Sequence, residues 1–283
     1  MQKNLRPILI SAKKKLRAQN FTARFANRNF ENLKTTQFQT EKNLIEIAVI
    51  FATGKYFLAE TIAAQDPQKK EFLEFSRPAR SMKIGMSSAR LSQILVNFAR
   101  DENGNLPQKI YDPFCGTGSI LFAAAEAKIS EIFGSDISRE SLNATRENLQ
   151  FFREKNFWRN SDFQIFQADA TKIFDQKIDA AIVCETFLGP RFSNFCEIAE
   201  AQNAREICEK ILTKFFENLP QNFGGNCAVI AVPFWKLKSG DELFLKKSFE
   251  CVKKFFKIEA DFLFRRENQS VGRQILILKK IEN

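Results

Sequence analysis

Four carboxylates, Asp112, Asp136, Asp169 and Glu185, stand where this sequence could do chemistry, each closing a short strand-like run. The first opens the stretch Asp112-Pro-Phe-Cys-Gly-Thr-Gly118, which follows Lys109-Ile-Tyr and precedes an alanine-rich run over residues 120–127. That order reads as strand, tight turn and helix. Gly116 and Gly118 permit positive φ and let a ligand approach without a Cβ in the way. A turn so placed lies at the carboxyl end of a strand, where open α/β sheets hold their ligands. The dinucleotide fingerprint needs a glycine where Leu121 stands, and no Gly-Lys-Ser/Thr phosphate loop is present. Asp136 ends Phe133-Gly-Ser-Asp136, twenty residues after Gly116, a position from which a carboxylate accepts from ribose hydroxyls. Asp169 lies between Ala168 and Ala170 after a third strand-like run, placed to accept from an adenine amino group. Together the three loops suit a ribose and an adenine without a pyrophosphate. S-adenosylmethionine meets that description.

The stretch from Asp112 to Gly118 resembles the cofactor loop of the class I amino-group methyltransferases, which act on exocyclic nitrogens of nucleobases. Its flanks resemble one branch of them, the THUMP-associated tRNA guanine-N2 methyltransferases. These flanks are Arg77-Pro78, Gly85-Met86 and Arg90-Leu-Ser-Gln-Ile-Leu-Val-Asn-Phe-Ala99 on one side and Ser270-Val-Gly-Arg-Gln-Ile275 on the other. The resemblance covers the chain from about Asp66 onward and implies S-adenosyl-L-methionine as cofactor. Its cofactor-binding positions fall on Asp112, Pro113, Phe114, Gly116, Thr117, Gly118, Asp136, Ile137, Asp169 and Ala170, with Asp112 taking the cofactor's amino group. In that family the loop after the fourth strand usually reads Asp/Asn-Pro-Pro-Tyr/Phe. Here it reads Glu185-Thr-Phe-Leu-Gly189. The carboxylate, an aromatic and the glycine survive; both prolines are gone and the aromatic is displaced by one position. Catalytic roles therefore fall on Glu185, accepting from the target amine, and Phe187, stacking on a flipped base. For Arg191, Trp235, Lys236 and Arg273 a surface or packing role is expected, with contact to the substrate backbone as the alternative.

Composition narrows the chemistry. The chain has no histidine, which removes imidazole acid–base catalysis and His-based metal sites. Its six cysteines form no Cys-x-x-Cys pair and sit mostly in apolar runs, so reduced buried thiols are expected and no metal. No apolar stretch reaches the length of a membrane span, and residues 7–10 are too short for a secretory signal core. A cytoplasmic protein is expected. The net charge of +10 is unevenly spread: residues 1–34 hold nine Lys or Arg against Glu31 alone. Such a cluster, with Lys13, Lys14, Lys15 and Arg17 at its centre, is an electrostatic footprint for a polyanion, with a solvated helix face as the alternative; the resemblance implies tRNA as that polyanion. DNA is the alternative partner, and a DNA amino-methyltransferase or a catalytically silent RNA-binding relative is the alternative function. Any partner subunit is left open.

The elements that must position these residues follow from periodicity. The expected fold is α/β: a Rossmann-like, mostly parallel seven-stranded sheet with an antiparallel terminal hairpin, plus a small α+β N-terminal module. Residues 1–65 would form that module, a helix near 8–18 and a hairpin over 43–62 that resemble the latter half of a THUMP domain. Residues 66–100 read as a polar linker over 66–86 and an entry helix capped by Ser87. Residues 101–283 form the methyltransferase-like domain. Within it helices are expected over 139–155, 199–217 and 241–256. Strands are expected over 178–184, 227–233, 258–264 and 275–278.

Overall fold

A computed structural model of the chain describes residues 5–20, 22, 45–64, 66–79, 88–192 and 194–281. The chain divides into two compact units, Met1–Phe75 and Ser76–Asn283.

The first unit carries helix α1 (Leu5–Ala18), strands β1 (Ile47–Ala52) and β2 (Lys55–Glu60), and helix α2 (Pro67–Phe75). The hairpin runs in antiparallel register from Ile47↔Glu60 to Ala52↔Lys55. Thr53 and Gly54 both take positive φ, 49° and 75°, the twist that a two-residue hairpin needs. α2 corrects the expected linker. Asp66 Oδ1 accepts from the Lys69 N–H at 2.9 Å, and Pro67 occupies the first helical position. Asp-Pro is thus a helix start here, an acidic cap followed by a residue whose missing N–H costs nothing at that place.

The second unit begins with α3 (Ala89–Phe98), the entry helix. Ser88 caps it, its side chain accepting from the Leu91 N–H at 3.2 Å; Gly85, Met86 and Ser87 lie outside the described residues. The α/β alternation then runs β3 (Lys109–Asp112), α4 (Ser119–Glu126), β4 (Glu131–Asp136), α5 (Arg139–Glu154), β5 (Asp162–Gln167), β6 (Ala181–Glu185), α6 (Ile198–Asn222) and β7 (Cys227–Lys236). A two-residue strand β8 (Glu242–Leu243), helix α7 (Lys247–Val252), β9 (Phe256–Phe264) and β10 (Val271–Lys280) complete it. The sheet order is β5-β4-β3-β6-β7-β10-β9, with β8 paired to β7. β3 to β7 are mutually parallel, and β10 inserts antiparallel between β7 and β9. The seven-stranded order matches the expected fold, and the order reverses at β3, where β4 lies on one side and β6 on the other.

The helix expected over 241–256 is corrected to α7 alone. Leu243 pairs with Trp235 instead, and the chain stays extended until Glu209 of α6 supplies a tertiary cap. The Glu209 carboxylate accepts from the N–H groups of Lys246, Lys247 (3.0 Å) and Ser248 (2.7 Å). The central strands are buried on both faces: Ile110, Val183, Cys184 and Ala228 to Val232 are closed to solvent. α6 covers one face through Ala204, Cys208, Leu212 and Phe216, which gather with Ile182, Ile230 and Leu276 into the main core. Such a double-faced core leaves the strand tips, not the sheet faces, as the place for a ligand.

Candidate active site

β3 delivers Asp112 to the start of the glycine turn at 1% exposure. Its Oδ1 accepts from the Phe114 N–H at 3.0 Å, while Oδ2 takes no hydrogen bond from the described residues. Burial pushes the Asp112 carboxyl well above the usual carboxylate range; the Phe114 N–H opposes that, and the charges of Asp136 and Glu185 add to it. Gly116 takes φ 52°, donates its N–H to Asp136 Oδ2 at 3.0 Å and accepts from Thr145 Oγ1 at 2.7 Å. Gly118, at φ 88°, caps α4. A Cβ there would stand 2.8 Å from the Phe122 ring and 3.1 Å from Thr145 Cγ2, so its bareness serves packing under the loop. Cys115 is buried, which pushes its thiol well up and leaves it a packing residue.

Two side chains on α5 hold this loop. Besides the Thr145 bond, Asn148 binds the Ala79 backbone through both ends of its amide, at 3.0 and 3.1 Å, and reaches the Thr117 carbonyl at 3.4 Å. Arg77, buried, donates to Ser119 Oγ at 2.7 Å and lies over the Phe122 ring at 5.2 Å. The segment before the entry helix is therefore fastened to the glycine loop. Sequence reading missed Thr145 and Asn148. Their signal was two polar residues on the buried stripe of an amphipathic helix, among Leu142, Leu149 and Phe152.

The neighbouring strand tips complete the site. Asp136 Oδ1 accepts from the Ser138 N–H at 2.9 Å, and the Ile137 side chain beside it is 65% exposed. Asp169 Oδ1 accepts from the N–H and hydroxyl of Thr171, at 2.9 and 2.7 Å, which shapes its turn. At the tip of β6, Glu185 Oε1 accepts from Arg273 Nε of β10 at 2.7 Å, both side chains being mostly buried. Thr186, which stands where the family pattern has its first proline, donates both N–H (2.9 Å) and hydroxyl (3.1 Å) to the Ala231 carbonyl. A proline could make neither bond, so the altered loop is tied to β7 for one residue further. Phe187 follows at 40% exposure, and Gly189 takes φ 83° with Cys208 Sγ 3.2 Å from where a Cβ would sit.

These tips surround one cleft of about 1250 Å³. Every expected cofactor position except Gly118 lines it, as do Glu185 and Phe187. Asn268, Gln269 and Ser270, from the loop between β9 and β10, line it too and were not anticipated as site residues. The volume exceeds the roughly 300–1,000 Å³ of a single-ligand pocket, leaving room for a second small group beside a cofactor. The four further candidates divide. Arg191 is exposed at the cleft, and Arg273 is engaged by Glu185. Lys236 contacts Glu242 at 3.6 Å and the Gly240 carbonyl. Trp235 is fully buried in the core, a packing residue and not a substrate contact. Lys13, Lys14, Lys15 and Arg17 belong to α1 of the first unit; Lys13 is half-buried and the other three are exposed.

Residues 107–238 match the family model described as a methyltransferase domain. That match falls on the glycine turn and on the strand tips from β3 to β7. By sequence the chain is similar to the tRNA (guanine(10)-N2)-dimethyltransferase of Methanothermobacter thermautotrophicus, 28% identical over 204 residues, which is 70% of this chain and 54% of that protein. It is also similar to the enzyme of the same name from Methanocaldococcus jannaschii, 27% identical over 108 residues, 38% of this chain and 29% of that protein. The tRNA guanine-N2 methyltransferases are thus its sequence relatives. The chain spans about half the length of the first of them and less of the second. In structure it resembles a possible methylase from Clostridium difficile 630, with a TM-score of 0.50 at 14% identity, covering 88% of this chain and 67% of that one. Among the described residues no group of His, Cys, Asp or Glu is arranged to hold a metal ion. No helix among the described residues is long and apolar enough to cross a membrane.

Proposed function

We propose that the protein transfers a methyl group from S-adenosyl-L-methionine to the exocyclic N2 amine of a guanosine in tRNA. The observation that carries this reading is the convergence of Asp112, Asp136 and Glu185 around a glycine loop in a cleft large enough for a cofactor and a base. The residues fit the cofactor. Asp112 keeps an acceptor oxygen with no partner among the described residues, suited to an ammonium group. Asp136 spends one acceptor position per oxygen on the loop and retains a second on each for ribose hydroxyls. Ile137 offers an exposed apolar side chain to a ring face, and Asp169 and Ala170 flank the place for an adenine edge.

When bound, the cofactor supplies an electrophilic methyl group on a sulfonium. The chain's work is positioning. Glu185 accepts an N–H of the target amine, whose lone pair is otherwise delocalised into the ring, and so turns the nitrogen toward a nucleophilic geometry. Phe187 presents its exposed ring to the flipped base, which fixes the line of approach. The surplus proton leaves the alkylated, now acidic, nitrogen for water. The basic residues of α1 hold the polyanionic substrate by charge. The six free thiols suit a reducing cytosol.

The test is to incubate the protein with methyl-labelled cofactor and bulk tRNA, then digest to nucleosides for mass spectrometry. Label in N2-methylated guanosine is expected. Label in DNA alone, or cofactor binding without transfer to either polymer, overturns the reading.

A further inference from the structure

We propose that Arg273 is a positioning residue for the reaction, acting through Glu185 and not on the substrate itself; this rests on the function proposed above. The two residues lie 88 positions apart and belong to strands two places apart in the sheet, β6 and β10, with β7 between. Two strand spacings are about 10 Å, so a pair can meet across a middle strand only if that strand presents short side chains. It does. Glu185 is in register with Ala231 and Arg273 with Pro233, both on the same face of β7. Nε then reaches Glu185 Oε1 at 2.7 Å, while Nη1 donates to the Val271 carbonyl at 3.0 Å. The guanidinium is held at two points, and it holds the carboxylate at one.

The consequence is geometric. Glu185 sits one methylene further from its backbone than the Asp or Asn of the usual family loop, and the prolines that stiffen that loop are absent. A longer, freer carboxylate would sample several rotamers over the cleft. Arg273 removes that freedom from one oxygen and leaves Oε2 as the acceptor for the target amine. Arg273 also sets a positive charge beside Glu185 in a cleft that already holds Asp112 and Asp136.

The test compares steady-state tRNA methylation and cofactor affinity in wild type, Arg273→Met, Arg273→Lys, Glu185→Gln and the Glu185→Gln/Arg273→Met double variant, with thermal melting as the folding control. Arg273→Met should lower kcat by about a hundredfold with KM for tRNA and cofactor affinity little changed. Lysine, which keeps the charge, should recover part of that loss. In the Glu185→Gln background, Arg273→Met should lower kcat by less than about threefold, because its partner is already gone. Losses that multiply in the double variant, or a raised KM for tRNA at unchanged kcat, would overturn the proposal and make Arg273 an independent substrate contact. An active wild type with either of those results removes this inference alone. A wild type that binds cofactor and methylates no tRNA removes the proposed function and this inference together.

Discussion

Replacing Asp112 by asparagine should make the protein more stable and a poorer binder of its cofactor. Asp112 is 1% exposed, receives one N–H and faces two other carboxylates, so its ionised form is held at a cost in the free protein. Its folded pKa lies above the unfolded value, so between the two values the folded state binds more protons. Stability then falls as pH rises through that window, and the deficit persists at neutral pH and above. Asparagine keeps the acceptor for the Phe114 N–H and removes the charge. The expected gain above the window is about 1–2 kcal/mol, or a melting temperature higher by about 2–6 °C. Below the unfolded carboxylate pKa both states are protonated and the gain should vanish. Cofactor affinity moves the other way. Losing one charge-assisted hydrogen bond costs about 1.5–3 kcal/mol, a Kd weaker by about tenfold to 150-fold. Wild-type binding should itself weaken as pH falls through the raised pKa, with proton release visible as buffer-dependent binding heat. Calorimetric melts at about pH 3 and about pH 8, with titration of the cofactor at about pH 5 and about pH 8, read all of this. A variant that melts below wild type at the higher pH, or binds the cofactor within about twofold of it, would refute this account of Asp112.

Gly116→Val should abolish cofactor binding, because φ 52° is strained by about 1–2 kcal/mol in any L residue and the side chain would enter the cleft; titration and melting together check both effects. Asn148→Ala leaves the Ala79 backbone and the Thr117 carbonyl without their partner, and should cost about 1–3 kcal/mol by denaturant unfolding while raising protease cutting near residue 79. Replacing Lys13, Lys14 and Lys15 by alanine should weaken tRNA binding and lower the slope of log affinity against log salt by about 0.9 for each phosphate no longer neutralised; an unchanged slope means that the cluster is only a solvated helix face.

Much of the site was legible because its causes are local. A strand, a proline, two glycines at positive φ and an alanine-rich helix are fixed by covalent geometry within a dozen residues, and Asp112, Gly116, Asp136 and Asp169 fell into one cleft as their spacing implied. The misreadings were also local signals, overruled by distant ones. Asp66-Pro67 read as linker and is a cap with a first-turn proline. Residues 241–246 have helical spacing, yet Trp235 pairs Leu243 into a strand and Glu209 delays the helix to Lys247.

Residue order by itself determined the sequence of α/β units, the glycine turn and the carboxylates that follow the strands from β3 to β6, since turn chemistry and side-chain periodicity act over a few positions. Only the tertiary structure decided that Glu185 meets Arg273, that Asn148 fastens residue 79 to the turn, and that the loop between β9 and β10 lines the cleft. Those contacts join positions up to 88 residues apart, and the Glu185–Arg273 pair and the lining loop exist because β10 inserts antiparallel beside β7, a choice made by burying both faces of the whole sheet at once.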